Sequence, residues 1–99
     1  MERYYNEFNQ LLQKIKNCKI SKEEVRNYLV NYIDCEYIYN TDDTLLSDIF
    51  FTLKHFSMGE EDITNEEIRY FLECLNGERT HSFDEKMELL HSKIFISIP

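Results

Sequence analysis

The sequence predicts an all-α fold, a compact single-domain bundle of four to five helices, and three observations carry that expectation. Apolar residues recur at three- and four-residue spacing along most of the chain, the pattern of helices with one buried face. A Ser/Thr-x-x-Glu motif precedes an apolar run three times, at Ser21/Glu24, Thr64/Glu67 and Ser82/Glu85; such a pair closes free backbone N–H groups at a helix start. Turn chemistry is scarce: there are two glycines and one proline, the proline last, which weighs against many short strands. At 99 residues the chain is expected to form one domain, 1–99.

The elements follow in order. A first helix is expected from about Glu2 to Asn17, with Tyr4, Phe8, Leu11, Leu12 and Ile15 as its stripe. A second starts at the Ser21 cap, with Ile20 and Val25 as a hydrophobic staple. Its buried face reads Val25, Tyr28, Leu29, Tyr32 and Ile33, and Tyr37-Ile38-Tyr39 either extends it or leaves it. A third runs from about Thr44 to Ser57, capped by Thr41 or Asp42. Leu45, Leu46, Ile49, Phe50, Leu53 and Phe56 face the core, and the additional Phe51 marks it as the central helix. A fourth starts at Thr64, buries Ile68, Phe71, Leu72 and Leu75, and stops at Gly77, a residue suited to left-handed backbone. A fifth begins near Ser82 with Phe83, Met87, Leu90 and Ile94 as its apolar face. The tail from Lys93 to Pro99 extends that helix, packs as a strap or forms a short strand, and its isoleucines require it to be tied down.

The starts at Ile20–Leu29 and Ile63–Leu72 match over ten residues. The helices before them do not align at the same offset, so a shared capping solution is preferred to an internal duplication.

The charge is unevenly distributed. Between Asn27 and Ile68 stand ten acidic residues and one basic residue, Lys54. The first part of that block also holds Tyr28, Tyr32, Tyr37 and Tyr39. With a formal net charge of −8, the chain is expected to avoid phosphate backbones, so no nucleic acid is expected as a partner. Three widely spaced cysteines, Cys18, Cys35 and Cys74, are poor material for a disulfide framework and fit reduced thiols. The start, MERYYNEFNQ, has no signal-peptide apolar region, and no run reaches the length of a membrane span. A cytoplasmic location and no membrane association are therefore expected.

No residue pattern announces chemistry. His55, His81, His91 and the cysteines show no metal-ligand spacing, and the acidic Gly59–Asp62 loop lacks a calcium-loop pattern. No glycine-rich phosphate loop occurs. Neither a cofactor nor a metal is expected, nor is the chain expected to be an enzyme.

The remaining candidate is the anionic aromatic block. Tyrosine gives large contact area at low entropy cost, and carboxylates steer a cationic protein. Tyr28 and Tyr32 are assigned to the core. Asp34, Glu36, Tyr37, Tyr39, Asp42, Asp43 and Asp48 are assigned to a surface for a basic protein partner.

In size, helical pattern and the acid-plus-tyrosine block from Asp34 to Asp48, the chain resembles small acidic bacterial immunity proteins, the helical partners of colicins and of contact-dependent inhibition toxins. The resemblance implies a cytoplasmic protein that binds a toxin domain, often a basic nuclease, and occludes it stoichiometrically. It carries no residue-by-residue correspondence. The alternative is a helical adaptor or regulatory subunit with a different basic partner. A small enzyme is the third reading.

Overall fold

Six helices follow one another in the computed structural model, which describes residues 3–89 and 94–99. They are α1 (Tyr5–Lys16), α2 (Lys22–Tyr32), α3 (Cys35–Asn40), α4 (Thr44–Ser57), α5 (Asn65–Leu75) and α6 (Phe83–Leu89). α1 packs on α5, α2 and α3 pack on α4, and α5 bridges α4 to α6. The Cα radius of gyration is 12.6 Å, matching the ~12.6 Å of a compact globule of this length.

The caps work as local chemistry dictates. Ser21 Oγ accepts from the Glu24 N–H at 3.2 Å, and Glu24 Oε1 accepts from the Ser21 N–H at 3.1 Å. Thr64 Oγ1 likewise accepts from the Glu67 N–H at 3.0 Å. Glu67, however, does not close a reciprocal box: its carboxylate reaches Lys86 instead. The two matching ten-residue starts thus share a cap and diverge in tertiary use.

Three helices end in the same way. After α1, α4 and α5 the residues in left-handed backbone are Cys18 (φ 56°), Gly59 (φ 75°) and Gly77 (φ 77°). Each N–H of these residues bonds a carbonyl of the last turn, and the following N–H reaches one residue further back, as in Cys18 to Ile15, Lys19 to Lys14, Gly59 to Phe56 and Glu60 to His55. Two of the three positions hold glycine, which adopts this backbone without a Cβ penalty. The third is a cysteine.

Several expectations are corrected. α1 begins at Tyr5 because Tyr4 is itself left-handed (φ 70°), and Glu2 lies outside the described residues. α2 stops at Tyr32, and the extended Ile33 turns inward; Asp34 then caps a separate short helix, α3. That is the sixth helix. Tyr32, read as core, is 68% exposed, because Ile33 takes the inward place at the end of α2. The cap of α4 is Asp43, whose Oδ1 accepts from Leu45 and Leu46 N–H groups. Asp42 and Thr41 do not cap it.

α6 departs furthest. It buries no residue, and Phe83 and Met87, the expected core face, are 55% and 61% exposed. Ile94 is exposed too, and Leu90 lies outside the described residues. Apart from the half-buried Leu89 at its end, which packs against the core, the helix is held through its polar side. Lys86 Nζ lies 2.5 Å from Asp48 Oδ1, 3.0 Å from Glu67 Oε2 and 5.0 Å from the centre of the Phe71 ring. The buried Tyr70 fastens the approach to α6, its hydroxyl donating to the Ser82 carbonyl and accepting from the Ser82 N–H.

The tail is a strap. Phe95 forms an isolated antiparallel bridge with Thr64, and the Ile96 N–H donates to the Ile63 carbonyl at 2.8 Å. At its far end, the Pro99 carbonyl accepts from the Lys22 N–H at 2.6 Å, while Ile98 is buried. The strap therefore links the start of α5 to the start of α2.

Candidate partner-binding face

The residues from Asp34 to Asp48 run through α3, its loop and the first turn of α4. Local capping explains two of them. Asp34 Oδ1 accepts from the N–H groups of Glu36 at 3.0 Å and Tyr37 at 3.4 Å. Asp43 gives one oxygen to the α4 start and the other to the Tyr5 hydroxyl, 2.8 Å away. A carboxylate at a helix N-terminus also meets the positive end of the helix dipole. Both therefore serve the fold.

Asp48 is withdrawn from the surface. Its side chain is 8% exposed, and its two oxygens are taken by Lys86 Nζ and by His81 Nε2, the latter at 2.9 Å. Thr52 Oγ1 donates to it as well, and His81 Nδ1 stands 2.9 Å from Thr44 Oγ1. The assignment of Asp48 to a partner surface is corrected on this ground. Two buried carboxylates, Asp48 and Glu67, share one ammonium group. Burial pushes the Glu67 carboxyl above the usual glutamate range, and Lys86 pulls against that shift without cancelling it.

Tyr37 is half-buried. Its ring meets Tyr4 edge-on at 5.8 Å, and the Arg3 guanidinium lies 4.5 Å from its centre. Tyr39 is 60% exposed, with Phe51 at 5.6 Å behind it. Glu36 and Asp42, near the two ends of α3, are both exposed. The structure thus leaves Tyr39, Glu36 and Asp42 exposed, while the half-buried Tyr37 packs against Tyr4, Arg3 and the core. Elsewhere in the acidic segment, Glu60 pairs with His55 at 3.3 Å, while Glu61 and Asp62 are exposed in the loop between α4 and α5.

Beside α3 lies a feature that sequence reasoning missed. α2, α3 and α4 enclose a cleft of about 220 Å³. Leu29 and Val30 form one wall, Phe50 and Met58 the other, and Cys35 stands at the α3 edge. Val30 and Met58 are exposed. Phe50, Lys54 and Met58 share a helical stripe, a signal legible in sequence; that α2 stands off from it is not.

Comparison of the chain with family models, curated proteins and solved structures returns no match. Among the described residues, no three His, Cys, Asp or Glu side chains converge as metal ligands, and no helix is long and apolar enough to cross a membrane. The three cysteines are free thiols, Cys18 and Cys35 exposed and Cys74 buried.

Proposed function

We propose that this chain is a non-enzymatic immunity protein that neutralises a basic bacterial toxin domain by stoichiometric occlusion in the cytoplasm. The observation that carries the reading is the exposed side of α3, where a tyrosine backed by an aromatic ring shares the helix with Glu36 and is followed by Asp42 just beyond its end. An aromatic anchor supplies desolvated contact area, and unpaired carboxylates draw in a cationic surface and set its orientation. The net charge of −8 adds a long-range attraction to the same partner.

The test is a titration against the basic product of an adjoining gene, followed by variants. Tyr39→Ala is expected to weaken binding by about 2 kcal/mol, the cost of a hot-spot aromatic. Glu36→Gln with Asp42→Asn is expected to slow association and flatten its salt dependence. Full affinity in both variants, for a partner whose activity the parent protein blocks, removes α3 as the interface.

A further inference from the structure

We propose that the cleft between α2, α3 and α4 is a binding site for a small apolar carboxylate, an aliphatic acid of about eight carbons or a single-ring aromatic acid. Its size sets the first limit. A dry cavity of ~150 Å³ holds benzene, so the cleft's 220 Å³ admits a ring with a short chain, or an aliphatic chain of similar bulk. Its walls set the second. Leu29, Val30, Phe50 and Met58 offer apolar surface, and burying a methylene there gains about fourfold in affinity.

The charge at the rim decides the head group. Lys54 is the one basic residue in a stretch that contains ten acids, yet among the described residues no carboxylate stands within ion-pair distance of it. It lines the cleft instead, one turn beyond Phe50 and one turn before Met58. A second cation, Arg26, also lines the cleft, and its Nη1 donates to the Ser57 carbonyl at the end of α4. That bond answers the negative end of the α4 dipole. The Lys54 charge is left over, beside apolar walls that lower the local dielectric and strengthen its pull on an anion. A cationic partner group is repelled there. A carboxylate with an apolar body satisfies both parts of the cleft.

The site is separate from the proposed toxin-binding surface, and each reading stands if the other fails. The probe is octanoate, titrated below its micelle concentration into the full chain and compared with 1-octanol. Methyl NMR shifts of Leu29 and Val30 report occupancy. A Cys18→Ser background adds a chemical readout, because bound acid shields the exposed Cys35 thiol from alkylation. Saturable shifts, slower Cys35 alkylation and roughly tenfold preference for the acid over the alcohol are expected. Lys54→Gln is expected to remove that preference while leaving the alcohol's binding unchanged. Cys35→Trp, a change at an exposed position that fills the cleft, is expected to abolish both. The helical circular dichroism of each variant checks its fold. Equal binding of acid and alcohol in the parent protein overturns the proposal, as does the absence of saturable shifts or octanoate binding that survives a folded Cys35→Trp chain.

Discussion

Replacing Lys86 by Met tests how α6 is held. The substitution keeps the length of the stem against Phe71 and deletes only the ammonium that Asp48 and Glu67 share. Breaking a buried pair by removing one partner costs about 3–5 kcal/mol; here Glu67 is left without its cation, while Asp48 keeps His81 and Thr52. The Lys86 side chain is 12% exposed while its partners are at 8% and 5%, so the lower end, about 3 kcal/mol, applies. For a domain of this size that lowers the melting temperature by about 12 °C. The pH dependence carries a sign. Glu67 already has a raised pKa in the folded protein, so the folded state binds its proton more tightly than the unfolded state. Its ionisation therefore destabilises the fold above that raised value, and the penalty fades as pH falls toward the ordinary glutamate range. Without Lys86 the pKa rises further, so the deficit of Lys86→Met should shrink between pH 7 and 5, by up to about 1.4 kcal/mol per pH unit for one group. Adding Asp48→Asn and Glu67→Gln should recover most of the loss, since a fully neutral cluster leaves no stranded charge. Urea denaturation at several pH values measures all of this. A Lys86→Met midpoint within about 1 kcal/mol of the parent at pH 7, with an unchanged pH slope, would refute the closed cluster.

Three further outcomes follow from particular contacts. Cys18→Gly should raise stability by about 1 kcal/mol, because it relieves a Cβ in the left-handed position that glycine occupies after α4 and α5; urea midpoints measure it. Met87→Gln should change stability by less than about 0.5 kcal/mol, as an exposed position predicts, whereas a core residue would cost several times that. Tyr70→Phe should cost about 1–2 kcal/mol and speed hydrogen exchange at Ser82, whose N–H loses its partner while its carbonyl keeps the Lys86 N–H.

Part of the candidate face was legible from residue type alone. Tyr39 and Glu36 follow from an aromatic and acidic helix with one apolar residue, Ile38, to bury. The capping roles of Asp34 and Asp43 were not legible, because a carboxylate that caps a helix and one that meets a partner look alike in sequence. Asp48 was misread for a non-local reason: its partners His81 and Lys86 are 33 and 38 residues away. The α2–α3–α4 cleft depends on how far one helix stands from another, which no spacing within a helix specifies.

The sequence by itself determined the all-α class, the cap at Ser21, the cap at Thr64 and the inward stripes of α1, α4 and α5, since these depend on hydrogen bonds and periodicity within a few residues. Tertiary structure alone decided that α6 faces its lysine inward and its phenylalanine outward. Apolar periodicity says which face of a helix prefers burial. It does not say whether a neighbour offers apolar surface or, as Asp48 and Glu67 do, a pair of buried carboxylates that only a cation can answer.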